Sequence, residues 1–165
     1  MQIRLSLSSI NRSAPYRVDS TNGYSFTFRT RYGYLYEVGF TEDGMLSDDG
    51  RVFQFFIVCV NSEHPAKDLQ VKDTVISILE EFFKNESVSL VYICDTHDGR
   101  QAVRERLFES WFHQYPLADL YEFICKTLTV ENTDYYLSFL CRKDNLLLED
   151  SKGALDDLFK NLSRK

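Results

Sequence analysis

Residues 16–41, YRVDSTNGYSFTFRTRYGYLYEVGFT, decide the fold class of this chain of 165 residues. Within them, Asn22-Gly23 is a dipeptide that favours a tight hairpin turn, because both residues tolerate positive φ angles. Aromatic and polar residues alternate after the turn, which is the period of a strand with one buried face. The apolar positions are Tyr24, Phe26, Phe28, Tyr34, Tyr36, Val38 and Phe40. This stretch therefore predicts an antiparallel meander.

The remaining elements follow from changes in the period of apolar residues. RVFQFFIVCV (51–60) is a continuous apolar run, which predicts a strand buried on both faces. Helices are predicted for DLQVKDTVISILEEFFKN (68–85), GRQAVRERLFESWFHQY (99–115) and a closing segment around Leu155–Leu162. Further strands are predicted for SVSLVYIC (87–94), DLYEFICKTLTVE (119–131) and DYYLSFLCRK (134–143), with a turn at Glu131–Asp134 between the last two. The order β-β-β-β-α-β-α-β-β-α predicts an α+β fold with a mainly antiparallel sheet.

The polar N-terminal segment stands apart from this pattern. Residues 1–15 are rich in serine, but Ile3, Leu5 and Leu7 alternate, so we predict an N-terminal arm or an edge strand there. Residues 16–165 have the length of one well-buried core, and we predict that they form a single α+β domain.

Composition excludes several classes of function. The formal net charge of −6 argues against a non-specific nucleic-acid binder, which needs a basic surface. The start of the chain lacks the apolar run of a signal peptide, and nowhere do about 18 apolar residues run together, so no membrane span is expected. The four cysteines lie in apolar runs without a CxxC pair, which predicts reduced core thiols and a cytoplasmic protein.

The stretch CDTHDGRQ (94–101) concentrates residues that could carry chemistry. Cys94 and Arg100 have the C-x5-R spacing of cysteine-dependent phosphatases, in which a thiolate lies under a phosphate held by backbone amides and an arginine. Asp95 and Asp98 would lie inside that phosphate cradle and repel a dianion. A phosphatase therefore stays an alternative, and we assign no catalytic residue.

Metal binding by the same loop is a second hypothesis. Asp95, His97 and Asp98 are plausible ligands, but His64 and His113 are the only other histidines, and neither stands at a recognised ligand spacing. We therefore predict no metal site and no cofactor.

The acids of this loop also fit the start of a helix. Asp95 or Thr96 could accept hydrogen bonds from the free amides of the first turn. If Asp95 is the cap, Asp98 falls at the third helical position, where a carboxylate completes a capping box. We therefore predict a strand-to-helix turn over residues 94–101.

Arg100 and Arg104 lie one turn apart on the same face of the predicted helix. Either they pair with carboxylates on neighbouring elements, or they form a small surface that binds an anion or a partner. The candidate binding residues are accordingly Arg100, Gln101, Arg104, Asp95 and Asp98.

The stretch YICDTHDGRQAVRERLFESWF (92–112) resembles a family of small, functionally uncharacterised proteins from Bacteroidetes. The N-terminal hairpins add to the resemblance, which extends over roughly residues 16–142. It implies a bacterial, cytosolic origin and supplies no activity.

The element order is similar to the later part of acyl-CoA-dependent N-acetyltransferases. That resemblance implies a Gly-rich pyrophosphate loop around residues 62–70, but NSEHPAKDLQ (61–70) contains no glycine. Side chains would keep the backbone amides away from a pyrophosphate. We therefore predict a non-catalytic binding or regulatory module, with an unknown protein or a small anionic ligand as partner and a homodimer left open. A divergent N-acetyltransferase is the first alternative.

Overall fold

The computed structural model describes residues 4–44, 46, 51–94 and 96–164. The helices are α1 (Leu7–Ser13), α2 (Leu69–Phe82), α3 (Gln101–Gln114) and α4 (Leu148–Ser163), with a short 3-10 helix at Ala118–Leu120. The strands are β1 (Asp19–Ser20), β2 (Ser25–Arg29), β3 (Leu35–Glu42), β4 (Val52–Cys59), β5 (Ser89–Ile93), β6 (Tyr121–Val130) and β7 (Thr133–Arg142). The predicted α+β class and the order from β1 to α4 are confirmed, and α1 is an addition.

The prediction of an N-terminal edge strand is wrong within the described residues, because Leu7 begins a helix. Ser6 caps it by accepting a hydrogen bond from the Ser9 amide, and Ile10 is the buried residue of the helix. Because this helix of two turns buries little apolar surface, the period of its apolar residues is a weak signal. Its serine cap indicates the helix better than the alternation of Leu5 and Leu7 indicates a strand. Ile3 lies outside the described residues.

The chain divides into two compact units, and the first comprises Met1–Thr41 and Phe55–Asn85. Its strands follow the order β1-β2-β3-β4, and β2 pairs antiparallel with both β1 and β3. The predicted alternation places aromatic rings on one face, where Phe40 stacks on Phe82 of α2 with ring centroids 4.5 Å apart. The hairpin that Asn22-Gly23 predicts is present, with Gly23 at φ 78°.

The second unit comprises Glu42–Gln54 and Glu86–Lys165. Its sheet begins with the first residues of β4 and continues in the order β5-β7-β6, with β7 antiparallel to both of its neighbours. Val91 and Phe139 belong to a core cluster with Leu155 of α4, whereas Tyr92 packs on Phe108 of α3. Because consecutive strand residues point to opposite faces, α3 and α4 cover opposite faces of this sheet.

β6 and β7 form a long hairpin at the predicted place. Glu131 and Asn132 both have positive φ angles, 51° and 66°, as a two-residue turn between right-twisted strands requires. The register is constant over ten pairs, from Tyr121↔Arg142 to Val130↔Thr133.

The prediction that β4 is buried on both faces is wrong for its second half. Phe53 and Phe55 are buried, but Phe56 and Val58 are exposed. The Phe56 ring lies over Gly39, where an added Cβ would come within 2.2 Å of it. Because Gly39 on the neighbouring strand β3 has no side chain, the Phe56 ring can lie against it. Phe56 is nevertheless on the outer face of the sheet.

The prediction of four core cysteines is confirmed in part. Cys94 and Cys141 are buried, whereas Cys59 is partly exposed and Cys125 is exposed; all four are free thiols. None of the helices formed by the described residues is both long and apolar enough to span a membrane. The single domain expected for residues 16–165 stays a prediction.

Candidate functional site

The connection from β5 to α3 is a tight turn that ends in a glycine. The Gly99 amide donates to the carbonyl of Thr96 at 3.2 Å, and Gly99 has a φ of 71°, a conformation that residues with a Cβ rarely adopt. The chain then enters α3 at Gln101. The predicted strand-to-helix turn is confirmed, with Gly99 providing the left-handed residue that it needs.

The predicted capping residue is wrong. Arg100 occupies the N-cap position, and its side chain makes no capping hydrogen bond. Thr96 lies too far before the helix, because α3 begins at Gln101 rather than at the residue that follows Thr96. Asp98 replaces the predicted cap from outside the helix, since its Oδ1 accepts a hydrogen bond from the Arg100 amide at 3.1 Å. Asp95 lies outside the described residues.

Asp98 and Arg104 form a bidentate ion pair across the start of α3. The two terminal guanidinium nitrogens of Arg104 donate to Oδ1 and Oδ2 of Asp98 at 2.8 and 2.6 Å. The hydrogen bonds from Arg104 hold the pKa of Asp98 well below its usual range, and the bond from the Arg100 amide acts in the same direction. Arg104 thus pairs with an acid, as one of the two hypotheses expected. The acid lies in the loop before α3, however, and not on a neighbouring element.

Gln101 ties the helix start to the β6–β7 hairpin. Its Nε2 donates to the carbonyl of Asp134 at 3.1 Å, while its Oε1 is buried and has no hydrogen-bond partner among the described residues. Of the other candidate binding residues, Asp98 and Arg104 lie in the same cluster, and Arg100 is exposed beside them. The structure thus brings Asp98, Arg100, Gln101 and Arg104 together at one end of α3.

Cys94 ends the strand side of this loop and is buried, with 1% of its surface exposed. Burial, reinforced by the charge of Glu105 and opposed by Arg104, raises the pKa of the thiol to about 11. A cysteine nucleophile needs a lowered pKa and an accessible sulfur. The surroundings of Cys94 therefore disfavour the phosphatase alternative.

A cluster that the sequence analysis missed lies one turn further along α3. Glu105 is buried, with 8% of its surface exposed, and its Oε1 accepts a hydrogen bond from the Cys125 thiol at 3.0 Å. Partial burial and this bond raise the pKa of Cys125 to about 12. Glu105 lies on the same face of α3 as Gln101 and Phe108, because the three residues stand at helical spacing. A charged residue on the buried face of the helix was therefore the signal in the sequence for this cluster.

Glu105, Glu109 and Cys125 are also the residues that could hold a metal ion. In the part of the chain that the structure describes, one ligand atom from each lies within 4.8 Å of the other two. Two carboxylates and a thiolate form a donor set that suits zinc, with a fourth position left for water. The spacing is compatible with such an ion, and the sequence analysis had predicted no metal site.

The opposite face of α3 carries exposed apolar residues. Val103 and Leu107 lie one turn apart, with 43% and 48% of their surfaces exposed. Arg100 and Arg106 are exposed close to them on the helix. Arg100, Val103, Arg106 and Leu107 are called the α3 surface below.

The start of α2, where the acetyltransferase resemblance implies a pyrophosphate loop, carries a carboxylate. Asp68 caps α2 by accepting a hydrogen bond from the Gln70 amide at 2.9 Å. Its other oxygen accepts a hydrogen bond from the hydroxyl of Tyr16. A pyrophosphate at these amides would displace the Asp68 carboxylate or be repelled by it.

Comparisons with known proteins indicate a family but no activity. A family model described as a family of unknown function (DUF6169) matches residues 67–157, from the residue before Asp68 into α4. No curated protein matches the sequence. The N-terminal domain of a ribosomal-protein-alanine acetyltransferase from Clostridium acetobutylicum ATCC 824 matches in structure at 17% identity and a TM-score of 0.39, over 79% of this chain and 94% of that one. A likeness at this TM-score carries no argument about activity.

Proposed function

Because the chain belongs to this family of unknown function (DUF6169), we propose its function from the geometry of its own residues. The protein is a non-catalytic binding module, and its α3 surface binds an acidic, partly apolar segment of a partner protein.

The observation that carries this proposal is the distribution of residues around α3. An ordinary surface helix turns its apolar residues inward and its charged residues outward. In α3, Glu105 is buried, whereas Val103 and Leu107 are exposed one turn apart. Exposed aliphatic residues in a row on a helix mark a contact with another molecule better than scattered ones do.

Charge specifies the kind of partner. Arg100 and Arg106 are exposed close to the two aliphatic side chains, although the whole chain has a formal net charge of −6. Guanidinium groups grip carboxylates with two parallel hydrogen bonds. A segment that carries leucine-like residues and carboxylates at helical spacing is complementary to this surface.

Size favours a short segment over a whole folded domain. A helix of 14 residues is about 21 Å long and about 10 Å wide, so one face covers only about 200 Å². A stable interface between two folded proteins needs roughly 800 Å² from each partner. The α3 surface is also convex, and small molecules prefer concave sites.

Three observations support binding rather than catalysis. Cys94 is buried, with a raised pKa. Arg104 donates hydrogen bonds to both carboxylate oxygens of Asp98. Asp68 occupies the amides that an acyl-CoA pyrophosphate would use, so the acetyltransferase alternative gains no support at α2.

A synthetic helical peptide that repeats leucine and glutamate at helical spacing tests the proposal by fluorescence anisotropy. The wild-type protein is expected to bind this peptide and not its counterpart with lysine in place of glutamate. Changing Val103→Ser together with Leu107→Ser is expected to weaken binding by about tenfold or more, because both apolar anchors are removed. Changing Arg100→Ala together with Arg106→Ala is expected to weaken peptide binding and to make the affinity less dependent on salt concentration.

Two variants elsewhere serve as matched controls. Leu69→Ser removes an aliphatic side chain with 61% of its surface exposed on α2, and Arg12→Ala removes an exposed arginine on α1. Neither change is expected to alter binding. Equal binding of the glutamate and lysine peptides, or equal losses in the α3 variants and the controls, would contradict the proposal.

A further inference from the structure

We propose that the protein forms a dimer in which β6 pairs antiparallel with β6 of a second copy of the chain. This inference rests on the edge of the sheet and is independent of the α3 surface.

β6 is an open edge of unusual length. It is the last strand in the order β5-β7-β6 and extends over ten residues, from Tyr121 to Val130. About half of its backbone amides and carbonyls point away from β7. Soluble proteins usually protect such an edge with proline, a bulge, charged side chains such as lysine, or a covering segment. β6 contains no proline, and its constant register with β7 leaves no bulge.

The helices leave room for a second sheet edge. α3 packs on β5 through Tyr92 and on β6 through Phe123, so it lies over β7, between the two strands. α4 spans the same strands on the other face, since Leu155 belongs to the cluster of Val91 and Asp156 pairs with Lys126. In a dimer, the two β7 strands would be three strand spacings apart, or about 14 Å. Helices about 10 Å wide fit side by side at that distance.

Charge selects one register for the pairing. Glu122 and Lys126 point to the same face of β6, because they are separated by an even number of residues. A two-fold axis through Ile124 sets each Glu122 opposite Lys126 of the second copy, which gives two ion pairs. An axis through either charged residue would set like charges against each other, and directly opposite like charges are destabilising.

Both side chains are held in position for this contact. Glu122 accepts from Lys152 of α4 at 3.3 Å, and Lys126 pairs with Asp156 of α4 at 2.7 Å. Both remain about one-third exposed. They are therefore ordered, accessible groups of opposite charge, four residues apart on an open strand.

Charge reversal tests both the interface and its register. Analytical ultracentrifugation of the wild-type protein, from micromolar to submillimolar concentration, is expected to show an average mass that rises from that of one chain towards twice that value. Glu122→Lys sets lysine against lysine, and Lys126→Glu sets glutamate against glutamate, so each variant alone is expected to be monomeric. An equimolar mixture of the two variants restores both ion pairs and is expected to form a heterodimer. Charges within one chain cannot produce that recovery.

Hydrogen exchange of the wild-type protein provides a second measurement if either variant fails to fold. Amides of β6 are expected to exchange more slowly as concentration rises, while amides of β1, the other edge strand, stay unchanged. A monomer at every concentration would overturn the proposal. So would a dimer that is unaffected by both charge reversals, or one whose β6 amides exchange at the same rate at every concentration.

Discussion

At the residue scale, Asp98 is the side chain that organises the start of α3. It accepts a hydrogen bond from the Arg100 amide and two from Arg104, which all favour its charged form. Its pKa is therefore lower in the folded chain than the ordinary value of about 3.9 in the unfolded chain. The stabilisation from this pair is complete above about pH 4 and is lost as the pH falls towards the folded pKa.

Titration of the Asp98 carboxyl carbon by NMR tests this account. In the wild-type protein its pKa is expected well below the ordinary value, and in Arg104→Gln it should rise towards about 3.9, because the largest cause of the shift is removed. Asp144 is the matched control, since the pKa of its carboxyl is lowered by Arg142 and should not respond to Arg104→Gln. An Asp98 pKa that stays unchanged in the variant would assign the shift to another group.

Cys94 provides a second prediction at this scale. Its thiol is buried and has a raised pKa of about 11, so both access and thiolate content limit its reactivity. A maleimide reagent at neutral pH is expected to label the partly exposed Cys59 of the folded protein and to reach Cys94 only after unfolding. Mass spectrometry of the digested protein gives the labelled fraction of each cysteine, and labelling of Cys94 as fast as Cys59 would refute its burial.

At the scale of elements, two glycines should respond to alanine in opposite directions. Gly99 has a φ of 71° before α3, and among the described residues, its two chain neighbours aside, no atom lies within 4 Å of an added Cβ. Gly99→Ala should therefore lower the free energy of unfolding by about 1 kcal/mol through backbone strain. Gly153 lies within α4 and is exposed, so Gly153→Ala should raise it by roughly 0.5 kcal/mol. Urea unfolding measures both changes, and a loss of stability in both variants would point to a cause other than the φ of Gly99.

The elements were more predictable than the contacts at their ends. Alternation in β2 and β3 and helical spacing in α2 are properties of whole segments, so they survive single exceptions. The start of α3 depends on a hydrogen bond that Asp98 accepts from the Arg100 amide, and CDTHDGRQ offers two aspartates that could have accepted it. Glu105 was missed because its hydrogen-bond partner, Cys125, comes from a strand that is distant in the sequence. The continuous apolar run likewise predicted the strand β4. It did not predict that Phe56 would be exposed, because that depends on Gly39 of another strand.

At the scale of the whole molecule, the two compact units are expected to unfold together. β4 contributes Val52–Gln54 to one unit and Phe55–Cys59 to the other, so no linker divides them at this point of the chain. A strand that lost its order in one half would expose backbone groups in the other half as well. We therefore expect one cooperative transition, as the prediction of a single domain for residues 16–165 requires.

The chain contains a convenient local probe of this cooperativity. Trp111 is its single tryptophan and lies in α3, so tryptophan fluorescence reports on the second unit. Far-ultraviolet circular dichroism reports on the helices of both units, including α1 and α2. In urea the two signals are expected to give the same midpoint and the same slope, because a shared strand couples the loss of both units. A fluorescence transition at a clearly different urea concentration from that of the circular dichroism would mean that the units are separate domains.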